Sequence, residues 1–314
     1  MEIRKAIKED IEEVVSLLKL SLGESLMPKS VEYWTWKHIN NPFGKSPVLL
    51  AIEDGKIIGV RAFMNWQWKN GEKIYKAIRA VDTATHPEHQ GKGIFKKLTL
   101  GLLDDCKQQG VDFVFNTPNS KSKPGYLKMG WKEVGKLPVR LGFKRPINIV
   151  KNKLFGGAVT DFIPVKDKKF DIAKSIDQYE LSVSKSSKGW KSNYSKAYLH
   201  WRYVDIPLIK YGGLGSEEAL VIFRLKQGGF GIELRICEAF GSSKEVESII
   251  QTIYKNCNFD YISIDAFSSY KLPSLINKVL GNGPDVTVRP LNGEVTDFEQ
   301  YKLWSPVLGD LEVF

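Results

Sequence analysis

The stretch that most restricts how this chain can fold is residues 81–95, Val-Asp-Thr-Ala-Thr-His-Pro-Glu-His-Gln-Gly-Lys-Gly-Ile-Phe. A strand-like run ends at His86-Pro87-Glu88, a turn bracketed by Gly91 and Gly93 follows, and an amphipathic helix opens directly after it. A strand that passes into a helix through glycines sets unpaired helix N–H groups, and the positive end of the helix dipole, beside backbone a ligand can approach closely. Lys92, Lys96 and Lys97 add positive charge at the same place. The arrangement suits a pyrophosphate. It is not a P-loop, because Gly-x-x-x-x-Gly-Lys-Ser/Thr is absent, and it lacks the third glycine of a dinucleotide fingerprint.

A second block lies further on: Asn119-Ser-Lys-Ser-Lys-Pro-Gly-Tyr126-Leu-Lys128-Met-Gly130-Trp131. Together the two blocks resemble the GNAT acetyltransferase superfamily. The first is similar to its coenzyme loop, Gln/Arg-x-x-Gly-x-Gly/Ala, with Gln90 and Gly93 in place and Phe95 where the last small residue is usual. The second is similar to Asn-x-x-Ala-x-x-x-Tyr-x-Lys-x-Gly-Phe, with Ser122 for Ala and Trp131 for Phe. The blocks flank a helix and a strand in the family's order.

Patterning along the chain agrees with that resemblance. Ile3 to Ala6 reads as a strand, and Lys8 to Leu22 carries apolar residues at helical spacing. Val48 to Ile52 and Lys56 to Phe63 form a hairpin turned by Asp54-Gly55, and a further strand pair flanks Asn70-Gly71 and ends in Ala77 to Thr85. Then come the glycine loop, a helix from Ile94 to about Gln108, a strand over Asp112 to Asn116 and the Tyr126 helix. A strand near Val139 to Phe143 is expected to complete this unit.

The second half repeats the first. Tyr33-Trp-Thr-Trp36-Lys37-His-Ile-Asn-Asn-Pro42 aligns without gaps on Tyr198-Leu-His-Trp201-Arg202-Tyr-Val-Asp-Ile-Pro207. A strand pair over Ala219 to Leu225 and Gly231 to Ala239, a helix over Lys244 to Asn256 and the strand start Phe259-Asp260-Tyr261-Ile262 follow in the first half's order. The second half has neither the glycine loop nor the Asn…Tyr block. The expected fold class is α+β (α/β): tandem GNAT-like units, each a mixed, mostly antiparallel sheet flanked by helices. Residues 1–145 form the unit with the coenzyme site, 146–170 the linker and 171–314 a degenerate copy. Pro146, Gly156-Gly157 and the charged run Lys166 to Lys169 interrupt the periodicity between them.

Charge and cysteines bound the partners. The net charge of +10 suggests anionic ligands, but the basic residues are interleaved with acids. The densest basic runs, Lys166 to Lys169 and Lys185 to Lys191, sit in no nucleic-acid module. No nucleic-acid partner is therefore expected. No apolar run reaches the roughly 18–20 residues that span a bilayer, no secretory signal opens the chain, and the 3 cysteines form no disulfide framework. A cytoplasmic location is expected.

The resemblance implies a chemistry. Acetyl-CoA is the cosubstrate, and a small amine attacks its thioester directly, a reaction governed mainly by positioning. Val81 and Thr83 offer backbone to the pantetheine arm and the acetyl carbonyl. Gln90, Gly91, Lys92, Gly93 and Ile94 hold the pyrophosphate, Asn119 touches the pantetheine arm, and Tyr126 protonates the departing sulfur. The base stays open. Asp82, which alternation places on the strand face opposite Val81 and Thr83, comes first. His86, Asp112 and a water relay are the alternatives. Trp36 and Trp201 read as core anchors, whereas Trp66 and Trp68 share a face that suits a sugar ring or nucleobase. With its Gly91-Lys-Gly-Ile-Phe95 loop and the Trp36-Lys37…Pro42 and Trp201-Arg202…Pro207 repeats, the chain resembles acetyltransferases of bacterial surface-polysaccharide pathways, which implies an amino-sugar acceptor, possibly nucleotide-linked. An aminoacyl transferase of the peptidoglycan-bridge type, a protein or aminoglycoside acetyltransferase, and a non-catalytic coenzyme-binding module are the rival readings.

Overall fold

The computed structural model describes residues 1–24, 28–156, 159–165, 167–181, 189–274, 276–280, 283–293 and 297–311. Gly157, Lys166 and the lysines at 185 and 188, which the sequence reading singled out, lie outside the described residues. The first half runs β1 (Glu2–Lys5), α1 (Ile11–Leu22), α2 (Val31–His38), β2 (Val48–Glu53), β3 (Lys56–Asn70) and β4 (Lys73–Thr85). It continues through α3 (Ile94–Gln108), β5 (Phe113–Asn116), α4 (Lys123–Lys128), β6 (Lys132–Lys136) and β7 (Val139–Phe143). Next come α5 (Pro146–Phe155), β8 (Thr160–Ile163), α6 (Ile172–Gln178), β9 (Trp190–Ser192), α7 (Lys196–Tyr203) and β10 (Gly212–Gly215). The chain closes with β11 (Leu220–Gly228), β12 (Gly231–Phe240), α8 (Ser243–Asn256), β13 (Tyr261–Asp265), β14 (Asn277–Leu280), β15 (Asp285–Pro290) and α9 (Leu308–Leu311).

These strands make two mixed sheets, as the α+β expectation required. One has the order β1-β2-β3-β4-β5-β15-β6 with β9 added beside β3, and the other β10-β11-β12-β13-β7-β14 with β8 beside β11. Each contains one parallel pair, β4 with β5 and β12 with β13, and is antiparallel elsewhere. The β2–β3 hairpin turns where the sequence placed it. Asp54 and Gly55 sit at φ +51° and +75°, the left-handed pair that a two-residue hairpin loop needs.

One expected strand serves the other sheet. Val139–Phe143 is a strand, but it lies between β13 and β14 and does not complete the first half. Its place there is taken by β15, between β5 and β6. The link explains the exchange. Leu137-Pro138 supplies no residue suited to a tight hairpin, and proline holds its predecessor extended, so the chain runs on from β6 into the neighbouring sheet. Leu137 N–H donates to the Pro284 carbonyl and the Pro138 carbonyl accepts from Ala266 N–H, which ties the crossover to the second half.

The two halves meet around a pseudo-two-fold contact. Ser30 caps α2 by accepting from Tyr33 N–H, and Ser195 caps α7 by accepting from Tyr198 N–H. Trp36 Nε1 donates to the Trp201 carbonyl at 2.6 Å, and Trp201 Nε1 donates to the Trp36 carbonyl at 2.8 Å. Their rings stack with centroids 5.0 Å apart. A contact in which each residue makes to its partner what the partner makes to it is the mark of two related units. Both tryptophans are core anchors, as read from the repeat.

Trp66 and Trp68 are not pocket walls. Period two does set them on one face, but that face is closed. They are 1 % and 0 % exposed, Trp66 donating from Nε1 to Ser192 Oγ and Trp68 packing edge-on against Trp304 and Phe115. Alternation identifies a shared face and is silent on whether solvent or a second sheet covers it.

The same buried layer holds an acid. Asp310, in α9, is fully buried, accepts from Ser192 Oγ and from Val307 N–H, and burial pushes its pKa up to about 6. A carboxyl raised above its unfolded value binds more protons when folded, so its contribution to stability falls as pH rises through the window from about 4 to 6. We expect Asp310 to subtract up to about 3 kcal/mol of stability in total across that window, a loss that Asp310→Asn removes. Melting curves from pH 4 to 7 on both proteins check this; equal slopes would contradict it.

Candidate active site

The site is built where β4 leaves its partners. On one side β4 pairs with β3 along its whole length, but on the other it meets β5 only from Ala77 to Arg79. From Ala80 to Thr85 that second edge has no strand neighbour among the described residues. Its unpaired backbone groups are a ready template for an extended ligand with amides of its own.

A bulge interrupts the closed edge at the same level. Val81 pairs with Ala62 and Thr83 with Arg61, so Asp82 is an extra residue, held at φ +29°. This overturns the alternation expected from sequence. Ala62 and Arg61 point to opposite faces, hence so do Val81 and Thr83, and Asp82 shares the side of Val81, toward α2. One inserted residue is enough to reverse the parity of everything after it.

Asp82 is tightly held. Its Oδ2 accepts from Lys37 Nζ at 2.7 Å and lies 2.8 Å from His38 Nε2, both residues from the last turn of α2. Burial alone would push the Asp82 carboxyl up, but the Lys37 ammonium and the His38 hydrogen bond outweigh it and hold the pKa well below the usual carboxylate range. Burial pushes the His38 imidazole down, against the pull of Asp82, and its Nδ1 pairs with Ser46 Oγ at 2.8 Å. Both ring nitrogens are therefore committed. The arrangement is an ionised carboxylate with a fixed neutral imidazole behind it.

The other expected bases sit elsewhere. Asp112 accepts from Lys76 N–H at 2.8 Å, at the start of the β4–β5 pairing. Lys76 precedes Asp82 along β4 by a rise of roughly 20 Å. His86 belongs to the turn beyond the strand, where its ring packs against His89.

The glycine loop takes the form its sequence required. Gly91 and Gly93 lie at φ +78° and +77°, and added Cβ atoms would meet nothing within 4 Å. Gly93 begins α3 with no side-chain cap, and no acid stands in that helix's first turn. The second half differs here. Its equivalent helix, α8, is capped by Ser242, whose Oγ accepts from Glu245 N–H and donates to the Glu245 carboxylate. One copy closes its helix start with its own side chains and the other leaves it open to an anion. Ile94 contributes only backbone, its side chain being 3 % exposed in the core. Gln90 Nε2 donates to the Thr85 carbonyl at 3.3 Å, and Lys92 Nζ rests 3.3 Å from His89 Nδ1.

The second block forms α4 and the turn before it, where Asn119 Oδ1 accepts from Lys121 N–H and Ser122 N–H. Tyr126 is 4 % exposed between Phe95 and Trp131. Phe95, the residue that departs from the family pattern, is accommodated by Gly125, where an added Cβ would lie 3.3 Å from its ring.

Sequence reading missed Arg61. Its Nη1 donates to the Tyr126 hydroxyl oxygen at 2.9 Å, and its guanidinium lies against the Phe63, Phe95 and Tyr126 rings. Arg61 is 0 % exposed, and its Nε and Nη2 have no hydrogen-bond partner among the described residues. A signal was present: a lone arginine in the apolar run Ile57-Ile-Gly-Val-Arg61-Ala-Phe-Met64 is rare unless something pairs with it. Lys37 and His38 carried no such signal, because a helix end commonly bears cations.

Comparison with known proteins agrees with this geometry. Residues 2–134 match the domain family described as acetyltransferase (GNAT) domain. L-amino acid N-acyltransferase MnaT of Escherichia coli is 33% identical over 64 residues, which cover 20% of this chain and 36% of that protein. The L-methionine sulfoximine/L-methionine sulfone acetyltransferase of Salmonella typhimurium is 36% identical over 64 residues, with the same coverage of 20% and 36%. The chain thus spans about a third of the length of the curated relatives it matches. Among solved structures, a probable N-acyltransferase from Enterococcus faecalis superposes with a TM-score of 0.63 at 15% identity, covering 92% of this chain and 72% of that one. Eis1 from Mycobacterium abscessus does so with a TM-score of 0.58 at 11% identity, covering 94% and 75%. At such identities the likeness is one of fold, and it extends over both sheets. Residues 2–134 thus match the GNAT acetyltransferase domain family, within an α+β fold of two mixed sheets.

Proposed function

We propose that the chain is an acetyl-CoA-dependent N-acyltransferase acting on a small primary amine, with one coenzyme site per chain. The observation that carries this reading is the contrast between the two helix starts, α3 open and α8 closed by Ser242 and Glu245. The pyrophosphate rests on the backbone of Gln90 to Ile94 beside Lys92, and the pantetheine arm pairs along the free edge of β4 at Val81 and Thr83, with Asn119 across from it. We take residues 1–145 as the catalytic unit, 146–170 as the linker and 171–314 as the degenerate copy, with β7 and β15 exchanged between them. The three cysteines are buried, and we place the protein in the cytoplasm, where thiols stay reduced.

In the reaction the amine nitrogen attacks the thioester carbonyl, a C–N bond forms, the C–S bond breaks, and the sulfur takes the Tyr126 proton. The Arg61 charge on the phenol oxygen stabilises the negative charge left there. A carboxylate held as strongly ionised as Asp82 is a weak proton acceptor. Its part is to draw the ammonium form of the acceptor to the bulge, while water carries the proton away.

An amino acid is the acceptor class the relatives' names favour. The amino sugar expected from the sequence rested on the resemblance of the Gly-Lys-Gly-Ile-Phe loop and the Trp-Lys/Trp-Arg…Pro repeats to polysaccharide-pathway acyltransferases, and the Trp66 and Trp68 face suggested alongside it is buried. Thiol release from acetyl-CoA, followed with a panel of amino acids, amino sugars and nucleotide-linked amino sugars, tests the proposal. Turnover is expected with an α-amine. Turnover on nucleotide-linked sugars alone would restore the polysaccharide reading, and none on any amine would contradict an acyltransferase.

A further inference from the structure

We propose that His86, Glu88 and His89 form a binding site for a divalent transition-metal ion of the zinc type, at the rim of the glycine loop. One ligand atom from each lies within 4.8 Å of the others. Tetrahedral zinc with bonds of about 2.0–2.2 Å needs its nitrogen and oxygen ligands roughly 3.4 Å apart, so closing the set takes a small side-chain adjustment. His86 Nδ1 accepts from Glu88 N–H at 3.4 Å, which leaves its Nε2 for an ion. His86 and His89 are half-buried and Glu88 is exposed.

The backbone beneath them is fixed. Pro87 opens a single turn of 3₁₀ helix in which His89 N–H donates to the His86 carbonyl at 2.8 Å. Residues 86, 88 and 89 are thereby set around one point by a turn whose φ the proline ring restricts. Two imidazoles and one carboxylate match a borderline ion and leave a coordination position for water or an exchangeable ligand.

Two further observations favour a cation here. Behind the three residues lies a cleft of about 410 Å³ that Glu13, Glu53, Asp54 and Lys56 also line, so acids outnumber cations in the surroundings. Glu53 Oε2 stands 3.4 Å from His89 Nδ1. A carboxylate on one ring nitrogen fixes the imidazole and turns the other nitrogen toward a metal, the usual second layer of such sites. Lys92 Nζ approaches the same Nδ1 at 3.3 Å and is the one cation seen against the His89 ring among the described residues. It lies on the Nδ1 side, away from the nitrogen that a metal would take.

The inference stands apart from the coenzyme reading, because metal binding is measured without acetyl-CoA. Chelator-treated protein would be titrated with Zn²⁺ against a chromophoric indicator, and with Co²⁺ by visible absorption. The expected result is one equivalent bound in the micromolar range, with a Co²⁺ spectrum free of thiolate charge-transfer bands. His86→Ala combined with His89→Ala should weaken binding at least 30-fold, and Glu88→Gln about tenfold, while His200→Ala leaves it unchanged. Circular dichroism of each variant confirms the fold. Absence of stoichiometric binding would overturn the proposal, as would binding that survives loss of both histidines or a thiolate band that assigns the ion to the cysteines.

Discussion

Gly93→Trp is expected to lower acetyl-CoA affinity at least 100-fold, about 3 kcal/mol, while the protein stays folded. Gly93 sits at φ +77° at the start of α3, with open space where a Cβ would stand. A side chain there meets no protein atom, so the fold loses only about 1–2 kcal/mol for the left-handed backbone. The indole instead fills the space over the first-turn N–H groups, where the pyrophosphate is proposed to rest. Calorimetry on the variant and on wild type, with thermal melts of both, separates the two effects. Normal coenzyme binding by a folded variant would place the site elsewhere.

Arg61→Met and Tyr126→Phe are each expected to reduce kcat about 100-fold with little change in coenzyme affinity. The double variant should be scarcely worse than either single one. Arg61 donates to the Tyr126 oxygen at 2.9 Å, so a charge that acts through the phenol has nothing left to act on once the hydroxyl is gone. The fold should tolerate the change. Arg61 is fully buried with two unpaired nitrogens, and replacing such a charge with an apolar side chain of similar length is commonly neutral or stabilising. Additive losses, or loss of coenzyme binding in Arg61→Met, would show a structural role.

Much of this was legible in the sequence. Residues 94–108 show the 3.6 periodicity without interruption, and α3 has those limits. The glycine loop was readable because only glycine adopts its backbone cheaply, and the Trp36 and Trp201 repeat because equal offsets in one order mark equal structure. What escaped has common physical causes. Period two assigns residues to faces but not strands to partners, so Val139–Phe143 was found as a strand and assigned to the wrong sheet. A bulge adds one residue and no composition, so Asp82 was set on the wrong side of β4. The face of Trp66 and Trp68 was right and its exposure wrong, because Tyr198 of α7 and Trp304, from the other half of the chain, pack against it.

The difference between the two halves follows from the same residues. Both copies keep a bulge where the third and fourth strands of the repeat pair, at Asp82 in one and at Cys237 in the other. A carboxylate held by Lys37 and His38 stands in the first and a buried cysteine in the second. Under the proposed function, this change of side chain at a retained backbone position accompanies the absence of a coenzyme site from the second half.

The most direct test of the central claim is calorimetric titration of the wild-type chain with acetyl-CoA. The account expects micromolar binding at one site per chain, because α3 is open and α8 is capped by its own Ser242 and Glu245. Two equivalents, or no binding at all, would contradict it.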